Sequence, residues 1–210
     1  MRGVGIAGRR FHEDNVNLLQ KNGKTTICVD GQYFYDTDHP NGLNQNGTGT
    51  FQNLWTGMTL NAPNLQTRYQ YMTQLKDANG KRMGIRPNIL EYGPDHFIDV
   101  PVLLEAPIIA AAGTTATSNA GISNPLLVAA ARLGLTPVLN NDLEAGVWYL
   151  HDTRVMKPFI IAEETPPMGM QMRVDPLDPS VWEHREFLFG SEATAGYGPG
   201  LPHLSTRCEE

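Results

Sequence analysis

The spacing of hydrophobic and polar positions changes several times along this 210-residue chain. Phe11, Val16 and Leu19 fall loosely on one side of a helix over Phe11–Gln20. Asn22-Gly23 marks its end, because glycine accepts the left-handed backbone of a helix stop. The period then drops to two. Thr25–Val29 and Gln32–Tyr35 are β-branched and aromatic runs joined by Asp30-Gly31, the pattern of a hairpin with a two-residue type I′ turn. Asp36–Thr50, rich in Asn, Gly and Thr, reads as an exposed loop. Helical spacing returns over Phe51–Met58 and more clearly over Asn64–Ala78, where Leu65, Tyr69, Met72 and Leu75 recur before Asn79-Gly80.

Pro87–Tyr92 reads as a strand, and Pro94 opens an apolar helical segment that runs to Leu104. Ala110–Ser123 is small, polar and without periodicity, as expected of a mobile loop. Pro125–Leu133 is a helix stopped by Gly134. Strands follow at Leu135–Leu139, Gly146–His151, Pro158–Ala162, Met168–Val174 and Glu186–Ser191, with Trp148 expected in a buried position. Tyr197–Glu210 carries two prolines and a polar end, and is expected to fray. The sum is an α+β fold with many short elements, which the scattered 21 glycines and 15 prolines reinforce.

Charge narrows the function. Sixteen Lys and Arg against 22 Asp and Glu leave a net charge of −6, with no basic excess to displace counterions from phosphates. Nonspecific nucleic-acid binding is therefore disfavoured. The longest apolar run, Ala106–Gly113, falls well short of the roughly 20 residues of a membrane helix. Met1–Ile6 lacks the apolar stretch of a signal peptide. A soluble intracellular protein is expected.

Several clusters carry candidate chemistry. Asp36, Asp38 and His39 combine carboxylates and imidazole as a divalent-metal site would, but Pro40 holds His39 extended and the same residues suit a polar turn. His151-Asp152, and His96 beside Asp95 and Asp99, resemble parts of a catalytic triad, yet no Gly-x-Ser-x-Gly elbow supplies a nucleophile. Cys28 and Cys208 are too far apart in sequence for a metal or redox motif, and Cys28 reads as a small core residue. Gly3-Val-Gly5-Ile-Ala-Gly8 matches a dinucleotide-binding spacing without the strand that should precede it, so a flexible terminus is expected. Glu163-Glu164 and Glu183/Glu186 read as solvated faces, and Tyr33, Phe34 and Tyr35 as alternating core and rim. No catalytic, cofactor-binding or metal residues are assigned, and no cofactor is expected.

Three segments together resemble the Mu-like phage major head subunit family, the gpT-type major capsid proteins. They are Cys28–Pro40, Trp148–Ile161, and Glu186–Gly190 continuing to Ala195–Gly198. Met72–Pro87 is similar to the family's link between a helix and the next strand. The resemblance implies a Hong Kong 97-like shell fold with peripheral and axial domains. It assigns residues 1–80 to a peripheral-like segment, 81–165 to an axial-like one, and 166–210 to strands returning to the periphery and a tail. The chain would begin near the family's central region and lack the N-terminal arm and extended loop.

The same resemblance implies a non-enzymatic structural protein that self-assembles into an icosahedral shell around DNA. Its partners would be other capsid subunits, with scaffold, portal or decoration proteins, weak contact with packaged DNA and no membrane. It would reside in the virion, and in the host cytoplasm during assembly. Uncharged stretches such as Asn41–Thr50 and Ala110–Ser123 would lie at subunit contacts. The competing readings are a small metal-dependent hydrolase using Asp36, Asp38 and His39, and a capsid-derived binding module that acts by strand addition.

Overall fold

The computed structural model describes residues 2–40, 49–110, 121–168, 171–175, 177 and 179–210. Most of the two expected loops, Asn41–Thr50 and Ala110–Ser123, lies outside these residues. In chain order the main elements are α1 (Arg2–Lys21), β1 (Leu54–Trp55), α2 (Ala62–Gln74), β2 (Ile89–Tyr92), α3 (Asp99–Leu104), β3 (Ile108–Ala110) and β4 (Gly121–Ser123). There follow α4 (Pro125–Leu133), β5 (Thr136–Leu139), β6 (Val147–His151), β7 (Phe159–Thr165), β8 (Gln171–Arg173), α5 (Pro179–His184), β9 (Leu188–Gly190), β10 (Thr194–Pro199) and β11 (Ser205–Glu209).

The chain divides into two compact units, one of residues 1–22 with 159–198 and the other of 23–158 with 199–210. In the first unit β7 pairs with β10 and β8 with β9. Tyr197 on β10 meets α1, its hydroxyl 2.9 Å from His12 Nδ1 and its ring edge-on to Phe11.

The second unit is built on a mixed five-stranded sheet in the order β1-β11-β6-β2-β5. It takes strands from each of the segments 1–80, 81–165 and 166–210. The two outer pairs are parallel and the two inner pairs antiparallel. The alternation of strand side chains gives the sheet two different faces. Leu90, Tyr92, Trp148, Leu150 and Cys208 point one way and pack with Leu65, Met72 and Leu75 of α2, Val100 and Leu104 of α3, and Ala130 of α4. Trp148 is fully buried, and its indole N–H donates to the Met58 carbonyl at 2.7 Å. Glu91, Tyr149, His151, Ser205 and Arg207 point the other way. Every residue of β6 is buried, so both faces of the sheet are covered there.

Local signals explain the helices. Asn61 caps α2 by accepting the Asn64 N–H, with proline in its first turn. Asn124 does the same for α4, which Gly134 ends at φ +68°. The buried stripe of α2 takes in Arg68 in place of the expected Tyr69; its guanidinium lies 3.5 Å over the Trp55 ring, where a cation and an aromatic face attract.

Four expectations are corrected. The hairpin exists, but as one bridge, Ile27 to Tyr33, closed by a three-residue Val29-Asp30-Gly31 loop. A type I′ turn needs positive φ at both central residues, and only Gly31, at +85°, has it. Phe51–Met58 is extended: its backbone bonds run to His39, Asp36 and Glu209, so tertiary pairing overrides a weak helical spacing. Tyr197–Glu210 does not fray. It ends in β11, which lies between β1 and β6 with Ser205, Thr206, Arg207 and Cys208 buried. Finally, Phe34 and Tyr35 are both buried, because the strand alternation ends at Tyr33 and the Tyr35 N–H turns to the Gly23 carbonyl. A Cβ at Gly23 would come within 2.4 Å of the Tyr35 ring, so the approach requires glycine.

Candidate functional site

The proposed metal trio Asp36, Asp38 and His39 is not assembled. Asp36 accepts the Thr37 N–H at 2.6 Å in a local turn, and Asp38 points to solvent. His39 alone turns inward and is 0% exposed, its backbone paired with Phe51 and its ring stacked on that phenyl at 4.6 Å. Proline at 40 keeps His39 extended, as the sequence implies.

The residues that meet His39 come from elsewhere. Its Nδ1 lies 2.7 Å from Asp30 Oδ2, and its Nε2 lies 3.0 Å from Asn53 Oδ1. The Cys28 thiol donates to Asp30 Oδ1 at 2.7 Å, and the Gln32 N–H donates to the same oxygen at 3.1 Å. Burial pushes the Cys28 thiol up to about 11, and its bond to Asp30 adds to that. Burial also opposes ionisation of Asp30, but its hydrogen bonds with Cys28 and His39 outweigh that and hold the carboxyl below its ordinary range. Cys28 is buried as expected, beside polar groups and not in the main apolar core. Held protonated in this way, the Cys28 thiol is a poor nucleophile by itself.

The triad-like pairs are structural clasps. His151 Nε2 faces Glu91 Oε2 at 3.0 Å, across the β2–β6 pairing. Asp152 instead takes the Arg154 guanidinium at 2.7 and 3.0 Å and the Arg86 N–H at 2.8 Å, tying the end of β6 to the start of β2. His96 is buried within 3.7 Å of Asp95, Asp99 and Glu210. Gly3, Gly5 and Gly8 lie inside α1 and do not form the strand-to-helix turn that receives a pyrophosphate; the segment is helical where a flexible terminus is expected. Glu163, Glu164, Glu183 and Glu186 are all exposed, with Glu163 near His12 at 3.7 Å.

The polar side of the five-stranded sheet holds the largest charged network that sequence reasoning misses. Arg207, 1% exposed, donates to Glu209 at 2.6 Å, to Glu144 at 3.0 Å and to the Tyr149 hydroxyl at 2.8 Å. Lys24 adds a second bond to Glu209 at 2.8 Å, and Tyr35 shares a hydrogen bond with Ser205 at 2.8 Å. This network is a packing device, since its groups face one another across strands.

What the surface offers is apolar. The hairpin presents Ile27, Val29 and Tyr33, with Val29 78% exposed, and the start of α3 presents Phe97, Ile98 and Val102. In the other unit Trp182 on α5 and Phe187 just after it have most of their area in solvent. A separate groove of about 560 Å³ runs between α2 and α4, lined by Leu65, Tyr69, Leu104, Leu126, Ala130 and Leu133. Exposed apolar clusters on several elements fit contact surfaces better than a buried reaction site.

A model of the family described as the Mu-like prophage major head subunit gpT matches residues 1–59 and 135–210. These segments make up well over half of the chain, and the chain belongs to that family. The Met72–Pro87 stretch lies between the two matched segments. Among solved structures the chain is similar to a chain of the bacteriophage JBD30 procapsid, at 19% identity and a TM-score of 0.40, over 95% of this chain and 40% of that one. It therefore spans about 40% of the length of that solved chain. No protein of curated function matches the sequence.

Proposed function

We propose that this chain is a major head subunit: a structural protein that acts by contact with copies of itself in a phage or prophage capsid, without catalysis. Membership of the Mu-like head-subunit family carries this reading. Exposed apolar groups on the hairpin and α3 support it, because a shell subunit must keep surface for its neighbours. The Hong Kong 97-type shell fold belongs to the same proposal, as do assembly in the host cytoplasm and residence in the virion. Packaged DNA would be held weakly, since a net charge of −6 gives the chain no general grip on phosphates.

Sedimentation velocity over a hundredfold concentration range tests the association. The expected result is a heavy fraction that grows with concentration. Ile27→Lys combined with Val29→Glu is expected to shift that growth to at least tenfold higher concentration and leave the melting temperature within about 2 °C, as suits exposed positions. A monomer at every concentration in the unsubstituted chain would overturn the reading.

A further inference from the structure

We propose that Cys28, Asp30 and His39 form a binding site for one divalent transition-metal ion, with zinc the best match to the donors. The Cys28 Sγ, an Asp30 carboxylate oxygen and a His39 ring nitrogen all lie within 4.8 Å of one another. Thiolate, imidazole and carboxylate together are zinc ligands, and three protein donors leave a fourth tetrahedral position for solvent. Asp36 and Asp38, the neighbours of His39 in sequence, take no part.

The second observation is the orientation of the ring, which follows from hydrogen-bond accounting. The Asn53 side-chain N–H groups donate to the carbonyls of Phe34 at 2.7 Å and Pro202 at 2.9 Å. The amide can therefore present only its oxygen to His39, and that oxygen also accepts the Asp36 N–H at 2.9 Å. His39 Nε2 must then carry a proton and donate to it. Nδ1 is then the ring nitrogen turned to the Asp30 carboxylate, 2.7 Å away, and is the atom placed to ligate an ion alongside it.

The remaining geometry supports the site. The Cys28 sulfur converges on the same carboxylate at 2.7 Å, which gathers thiol, carboxylate and imidazole around one point. Asn53 acts as the outer partner that fixes the ring of a metal-bound histidine. The loop closed by Gly31 brings Cys28 and Asp30 to one side, and Phe51 stacks on the His39 ring. On binding, the metal replaces the thiol proton and any proton on Nδ1, both of which leave to solvent; no electron transfer is involved.

The test uses the full chain, stripped of metal, titrated with Zn²⁺ against a chromophoric chelator and separately with Co²⁺. The expected results are one ion per chain, a thiolate-to-cobalt charge-transfer absorption, and a rise in melting temperature on adding zinc. Cys28→Ser is nearly isosteric and should lose the absorption and bind zinc at least tenfold more weakly; its circular dichroism would report that it folds. Cys208→Ser, which removes the other cysteine, should keep both. Absence of the cobalt band at saturation, or its persistence in Cys28→Ser, would overturn the site and leave the cluster as a hydrogen-bonded packing device.

Discussion

Replacing Arg207 by alanine is expected to lower stability by about 3–5 kcal/mol, since removing one partner of a buried ion pair leaves the rest of the network uncompensated. The side chain reaches Glu209, Glu144 and the Tyr149 hydroxyl from the middle of the sheet, where water is excluded. Truncation also empties the volume of a long stem against Tyr149, adding a cavity cost. For a chain of this length the melting temperature should fall by roughly 6–20 °C. Arg207→Met should lose less, because the stem is replaced, Glu209 keeps its bond from Lys24, and the Glu144 side chain is 44% exposed and can turn to water. Thermal unfolding of both variants checks the order. Equal losses for alanine and methionine would place the whole effect in the charge, and no loss in either would refute the network.

Acid should weaken the fold through His203 before it reaches the carboxylates. Burial, helped by the nearby His39, pushes the His203 imidazole down from 6.5 to about 4. Between those values the unfolded chain binds a proton that the folded chain does not. Stability therefore rises with pH through that window and is lost as pH falls from 6.5 towards 4. The full contribution of one such shift is as much as about 3 kcal/mol. Below the ordinary carboxylate range Asp30, Asp152 and Glu209, each held low by its partners, add further loss with the same sign. Urea unfolding at pH 7.5 and 4.5 in the presence of chelator should show a clear drop in the native chain and a smaller one in His203→Gln. Equal drops would assign the acid sensitivity elsewhere.

Much of the fold was legible where the information is local. Asn124-Pro125 and Gly134 bracket α4 by capping chemistry alone. The alternation around Trp148 marks β6, although the burial of both faces could not be read from one strand. The chain end was misread because Ser205–Glu209 looks polar and proline-preceded. Its partners, Leu54–Trp55 and Val147–His151, lie far away in sequence, and only their pairing makes it a central strand. Phe51–Met58 failed for the same reason.

The polar clusters show the limit more sharply. His39 stood out in the sequence, but adjacency pointed to Asp36 and Asp38. The hairpin brings in Asp30 from nine positions upstream, and the fold brings in Asn53 from fourteen positions downstream. A turn of fixed geometry was predicted at Asp30-Gly31; had its three-residue form been read, Cys28 and Asp30 would have fallen on the same side. Arg207 gave no signal at all, because a lone arginine near a terminus is ordinarily solvated. The family resemblance, by contrast, rested on runs such as Cys28–Pro40 and Trp148–Ile161, which include the residues that build these clusters.

Electron microscopy of the heaviest fraction of the concentrated chain tests the central claim most directly. Rings, curved sheets or closed shells with a regular subunit repeat are the predicted result for a head subunit. Amorphous clumps without a repeat, or no particles larger than the monomer, would contradict it.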